Sequence, residues 1–261
     1  MIVARDRLVI AELTHALTTD FDVSSMLDSV ALGARDRYAA ISAVVVVLDT
    51  RHQTDDTGIQ VVAEALREPT HADLGFLTTG PGLDSARDGA VTMIADLTDA
   101  HDTRWPDYRR AALEAGMRGM RAFPVTVLGA PLGALVIHTD NPWGTARSND
   151  LGQILANLTA IALSIRPRAG QRRTDTSDTI AALLQGTVQI ATATGLIAEL
   201  TESSVADARH RLHRLARAHG VTVTVHAAAV LAAYDEDPRR IRHSRLLSPP
   251  AVLRPPPHID T

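Results

Sequence analysis

Three features of this 261-residue chain predict an α+β fold, an antiparallel sheet with flanking helices, followed by a small three-helix all-α module. Short β-branched and apolar runs pair across turn signals in the first two thirds of the chain. Helical spacings of three and four open and close that region. The last third then carries three more helical patterns before a Pro/Arg-rich terminus. The changes of pattern divide the chain into residues 1–166, a linker at 167–177, the helical module at 178–237 and a disordered tail at 238–261.

Each element has a local reason. Leu8, Val9, Leu13, Ala16 and Leu17 form a helical stripe within 6–19, and Asp22 or Ser24 can cap a second helix reaching about Tyr38. The run Ile41 to Leu48 is short and β-branched, which reads as a central buried strand. Asp55-Asp56 before Gly58 signals a turn, and Ile59 to Ala65 supplies the return strand of a hairpin. A second hairpin joins Ala122–Leu128 to Leu132–Thr139 through Gly129-Ala130-Pro131. Between the hairpins, Leu74–Gly116 is less regular, with Gly80-Pro81-Gly82, a short strand at Val91–Ala95 and a helix from about Asp107 to Ala115. Such a stretch inside a compact domain suits binding loops. Leu151, Ile154, Leu155, Leu158, Ile161, Ala162 and Ile165 mark a closing amphipathic helix, and the order of elements suggests a sandwich with one helical face.

Composition removes several function classes. The chain has no Cys, so disulfides, thiol catalysis and Cys-based metal sites are excluded. All 26 basic residues are Arg, which excludes a Walker-type phosphate loop, a Schiff-base lysine and pyridoxal chemistry. No apolar run is long enough for a membrane span and no cleavable leader pattern opens the chain, so a cytoplasmic location is expected. Residues 1–165 hold 13 Arg against 21 acids and residues 166–261 hold 13 Arg against 9. If a nucleic acid is bound, the C-terminal segment is the place for it; an acidic domain with a basic disordered tail fits the same counts.

Several short strings in the first region resemble one family. They are Gly80-Pro81-Gly82-Leu83-Asp84-Ser85-Ala86, Asp96-Leu97, Arg104-Trp105-Pro106, Ala115-Gly116, Pro124-Val125, Gly133-Ala134-Leu135 and Asn141-Pro142-Trp143-Gly144. In this order they resemble the GAF domains of actinobacterial two-domain regulators, in which a GAF domain precedes an ANTAR domain, a three-helix RNA-binding module that promotes transcription antitermination. The resemblance covers roughly residues 5–166. It implies a signal sensor for a small molecule or protein whose identity the sequence does not give, with no cofactor assigned. Leu83 stands where the family often has Cys, so covalent chromophore attachment there is not expected. The residue set of cyclic-nucleotide-binding GAF domains requires a Lys that this chain lacks.

The helical module is similar to ANTAR domains in Ile190-Ala191-Thr192-Ala193-Thr194-Gly195-Leu196-Ile197, in Ala208 and Leu212, and in Val223 and Ala227. It departs from them at Thr194, where Lys is usual, at Arg209 for an aromatic, at His213 for Arg and at His226 for Val. Read from the residues alone, Ile180, Leu183 or Leu184, Val188, Ala191, Gly195 and Ala198 form a narrow stripe suited to helix pairing, either in a homodimer or within one chain. Ser203 or Ser204 starts the next helix with Asp207 in its first turn, Gly220 ends it, and Val205, Ala208, Leu212, Leu215 and Ala216 form its apolar face. Its other face offers His210, His213, Arg214 and Arg217, and together with Arg209 these are the candidate RNA-binding residues. Guanidinium groups spaced this way can straddle phosphates of an RNA stem-loop, and the same spacing also occurs on ordinary solvated helix faces. The function this implies is a signal-responsive antitermination regulator, with a sensory dimerisation protein that has lost RNA binding as the alternative.

Enzyme signatures are lacking. No Gly-x-Ser-x-Gly elbow, His-Glu-x-x-His pair or dinucleotide glycine fingerprint occurs, and no metal site is expected from His210 and His213, which have no supporting carboxylate or Cys. His101-Asp102 lies in a loop, where adjacency in sequence does not supply catalytic geometry.

Overall fold

A computed structural model of the protein describes residues 4–18, 21–49, 58–67, 76–77, 79–164 and 176–249. The chain forms two compact units, Met1–Leu183 and Leu184–Thr261. The linker expected at 167–177 lies outside the described residues except for its last two, which already belong to the helix Thr176–Thr201.

The first unit runs α1 (Ala4–Leu17), α2 (Val23–Tyr38), β1 (Ser42–Asp49), β2 (Gly58–Leu66), α3 (Pro81–Asp88), β3 (Thr92–Ile94), α4 (Pro106–Glu114), β4 (Gly119–Val127), β5 (Ala130–Thr139) and α5 (Asn149–Ser164). The strands make one sheet in the order β2-β1-β5-β4-β3, antiparallel throughout. β1 is interior as its composition predicts, with Ala43–Val46 fully buried, and β5 is the central strand. The turn between β1 and β2 lies outside the described residues.

Asp22 caps α2 by accepting the Ser25 N–H at 2.8 Å, and Met26, Leu27, Val30, Ala31, Ala34 and Tyr38 give the helix a buried face. α2 and α5 lie against one face of the sheet, and α1 packs on both. The contact is close at Gly152, where an added Cβ would collide with the Phe123 ring.

Helices cover the other face too, so the expectation of one helical face is corrected. α3 begins at Gly80-Pro81-Gly82, inside the stretch whose sequence lacks regular periodicity. Gly80 takes φ 82° and Pro81 occupies the first helical position, where its missing N–H costs nothing. α3 and α4 enclose an apolar core with Val44, Val46, Met120, Ala122, Ala134 and Val136 of the sheet. β4 begins three residues earlier than its pattern suggests, because Met120 pairs with Ile94 on one side and His138 on the other. The β4–β5 turn is tighter than expected: Leu128 and Gly129 alone form it, both with positive φ, as two-residue hairpins require.

In the second unit, α6 (Thr176–Thr201) from Leu184 onward, α7 (Val205–His219) and α8 (Val223–Glu236) surround a core of Ile190, Ala193, Ile197, Ala208, Leu212, Ala216, Val223, Ala227 and Val230. Ser204 caps α7 by accepting the Asp207 N–H, Gly220 closes it at φ 69°, and Thr222 caps α8. Three expectations change here. The stripe Val188, Ala191, Gly195 faces away from this core, which instead takes Ile190, Ala193, Thr194 and Ile197. Val205, expected on the apolar face, is 64% exposed at the first position of α7. The segment from Pro238 is no free tail up to residue 249: two 3-10 turns, Ile241–His243 and Arg245–Leu247, pack on α8 and bury Ile241 and Leu247. Residues 250–261 lie outside the described set.

Candidate functional site

Two regions carry chemistry, one in each unit. In the first, α3 and α4 are fixed to the sheet by side chains from the strings singled out above. Asp84 accepts the Trp105 indole N–H at 2.7 Å, and the Ser85 hydroxyl bonds the carbonyls of Ala90 and Ala122. Trp105 has φ 51° and sits at the N-cap of α4. The next turn delivers Tyr108 under the sheet, against Gly80, where any Cβ would meet the Tyr108 ring at 2.8 Å.

Tyr108 ends on a buried polar chain. Its hydroxyl lies 2.6 Å from His138 Nε2, and His138 Nδ1 lies 2.8 Å from Ser42 Oγ. The three residues are between 0% and 3% exposed. Both hydroxyls can donate or accept, so either neutral tautomer of the imidazole is fully bonded. Burial lowers the His138 pKa to about 3 and raises that of Tyr108. Phe76 packs edge-on against both rings. Sequence reading passed over this relay, although a His inside the run Leu135–Thr139 is the available signal: a strand buried on both faces takes a polar residue only where a partner waits.

The loop after β3 is held from within. Arg109, 8% exposed, donates to the carbonyls of Leu97 and Asp99 at 2.7 Å each and pairs with Asp102 at 3.4 Å. Thr98 and Arg118 bond Asp96 and lower its pKa to about 2, the Thr98 N–H contributing most. His101 bonds Asp99 at 3.1 Å whereas Asp102 bonds Arg104 at 2.9 Å. The neighbours His101 and Asp102 therefore engage different groups and form no base-and-orienter pair.

In the second unit, α7 carries all five predicted RNA-binding residues. His210, Arg214 and Arg217 are exposed along one ridge, opposite the buried Ala208, Leu212 and Leu215. Arg209 and His213 lie at the margin, half-buried and partnered within the chain. Thr194 is 2% exposed and donates to the Ile190 carbonyl, so its side chain lies in the interior of the module. Three further basic side chains, outside the predicted RNA-binding set, grip consecutive carbonyls of the last described segment: His226 bonds Leu246, Arg211 bonds Leu247 and His219 bonds Ser248, at 2.9 to 3.1 Å. His219 and His226 stack with centroids 5.1 Å apart.

Residues 22–163 match the family model for the GAF domain. The chain belongs to the GAF domain family. No curated protein sequence matches it. Among solved structures, the phycocyanobilin-bound GAF domain of a cyanobacterial phytochrome is similar at 13% identity and TM-score 0.49, the match covering 61% of this chain and 93% of that one. The GAF domain of an Acinetobacter phosphoenolpyruvate-protein phosphotransferase matches at 16% identity and TM-score 0.46, over 69% and 95%. The chromophore-binding domain of an unusual bacteriophytochrome from R. palustris matches at 13% identity and TM-score 0.45; the match covers 60% of this chain and 59% of that one, less than two thirds of its length. The GAF assignment identifies the first unit as a signal-sensing domain with the five-stranded antiparallel sheet and flanking helices described above. Among the described residues, no single helix is long and apolar enough to cross a membrane.

Proposed function

We propose that this protein is a cytoplasmic, non-enzymatic regulator in which the GAF domain receives a small-molecule or protein signal and the three-helix module binds an RNA stem-loop to promote transcription antitermination. The observation that supports RNA binding is the ridge His210, Arg214, Arg217 on α7, exposed along its length while the opposite ridge is packed. Two guanidinium groups one helical turn apart suit adjacent phosphates, which need charge and forked donors more than an apolar surface. Only one aromatic residue, Tyr234, lies in the module. Stacking on bases is then a minor contribution and electrostatic attraction the major one.

The test is titration of the full chain with a double stem-loop RNA at two salt concentrations, alongside a scrambled strand. Wild-type protein prefers the stem-loop and weakens steeply with salt. The double substitution Arg214→Ala and Arg217→Ala lowers the log–log salt slope by about 2 with the circular dichroism unchanged. Equal affinity for the scrambled strand removes the antitermination reading.

One observation favours the alternative, a sensory dimerisation protein without RNA binding. Val188 is 63% exposed, Ala191 and Gly195 are exposed beside it, and a Cβ on Gly195 would have no atom within 4 Å. That stripe on α6 suits a second helix, as in a homodimer. If Val188→Asp halves the sedimenting mass while RNA gives no signal in either protein, the alternative stands.

A further inference from the structure

The first unit contains a second polar cluster, on the sheet face opposite the Tyr108 relay. Arg121 extends from β4 toward the C-terminal end of α2 and the segment leading into α5. Its guanidinium carbon lies 5.1 Å from the centroid of the Trp143 ring, and that of Arg147 lies 5.6 Å from the same ring. Tyr38 completes the group, its ring centroid 5.2 Å from that of Trp143 and its hydroxyl donating to the Ser148 carbonyl at 2.7 Å.

The hydrogen bonds around this cluster are incomplete in a particular way. Arg147 is satisfied by neutral oxygens alone, donating to the carbonyls of Tyr38 and Pro142 and to Asn141 Oδ1. Trp143 is 5% exposed and its indole N–H has no acceptor; the buried Nε of Arg121 has none either. Neither Arg121 nor Arg147 has a carboxylate partner among the described residues, whereas Arg37, Arg67, Arg109 and Arg118 each have one. This happens in a region with 21 acids against 13 Arg. Of the carboxylates whose field reaches this group, Asp6 is paired with Arg37, Asp140 is paired with Arg67, and Asp150 is exposed. Burial lowers the Arg121 pKa, which registers the charge as poorly solvated. Stacking on the indole accounts for the position of the two guanidinium groups. It does not account for two donors pointing at no acceptor, which folded proteins avoid unless water or an ion supplies it.

We propose that Arg121 and Trp143, beside the Tyr38 ring, form the seat of a small oxyanion, a carboxylate or phosphate group, bound where β4 meets the segment 141–148. The guanidinium of Arg121 supplies the charge and a forked pair of donors, the Trp143 N–H a directional third, and Arg147 adds its field from across the ring. The site is separate from the α7 ridge and does not depend on RNA binding. Its failure and the failure of the RNA reading are therefore read in different experiments.

Trp105 and Trp143 are the two tryptophans of the chain, so an amide correlation spectrum of the full-length protein contains two indole N–H signals, assigned with Trp105→Phe. Inorganic phosphate and acetate are titrated separately at constant ionic strength, with chloride as the control anion. A saturable shift of the Trp143 signal with one oxyanion, the Trp105 signal staying in place, supports the site, and the responding anion identifies the source chemistry. Arg121→Met weakens the response at least tenfold, and Arg121→Lys, which keeps the charge and loses the fork, weakens it at least threefold. No saturable shift in the wild-type protein overturns the proposal, as does an equal response to chloride or an unchanged midpoint in folded Arg121→Met.

Discussion

His138 makes the stability of the GAF domain depend on pH in a calculable way. Its folded pKa, about 3, lies below the ordinary 6.5 because the imidazole is completely buried. As pH falls through 6.5 the unfolded chain takes up the proton and the folded one does not. Stability from this group is therefore fully present above pH 6.5 and is lost progressively as pH falls toward 3. Between pH 7 and pH 5 the loss comes to about 2 kcal/mol, near the limiting slope of one proton. Urea unfolding followed by tryptophan fluorescence measures it, since Trp105 and Trp143 both lie in the first unit and report on that unit alone. His138→Gln removes the titration while leaving an amide that can bond Ser42 and Tyr108. The variant is less stable at pH 7, and its deficit shrinks by about 2 kcal/mol at pH 5. The other histidines are common to both proteins and cancel. A deficit that stays constant across this range refutes a neutral buried imidazole.

Two substitutions test the packing. Gly152→Ala places a methyl group inside the Phe123 ring, so α5 must lift from the sheet; a loss of about 1–3 kcal/mol in the same unfolding curve is expected, and wild-type stability would mean that the ring has another place to go. Leu247→Ala in the second unit empties a position that is 4% exposed, and costs about 2–4 kcal/mol there. Amide exchange in α7 and α8 accelerates accordingly, and unchanged exchange would show that the last described segment adds nothing to the module.

The sequence made the scaffold legible wherever periodicity and capping agreed. Asp22, Ser204 and Gly220 end their helices as their chemistry dictates, and Ala43–Val46 is buried as a β-branched run should be. Legibility failed where a residue's role depends on a distant neighbour. Gly80-Pro81-Gly82 lies in a stretch without regular periodicity, and the Tyr108 ring against Gly80 and the Pro at the first helical position make it a helix start. His138, Tyr108 and Ser42 come from three separate elements, and no local pattern joins them. On α7, helical spacing correctly grouped His210, Arg214 and Arg217 on the outer ridge, while the margin positions of Arg209 and His213 follow from how the neighbouring helices fit. On α6 a stripe of small residues and a stripe of larger ones compete, and the larger Ile190 and Ile197 took the interior because they remove more apolar area from water.

The grip of Arg211, His219 and His226 on the carbonyls of residues 246–248 sets a practical limit on dissection. An expression fragment trimmed at the last residue of α8 would discard Ile241 and Leu247 and open the apolar cluster they belong to. Clumping or weak nucleic-acid affinity measured on such a fragment would describe the cut, and a faithful excised module has to run through Pro249.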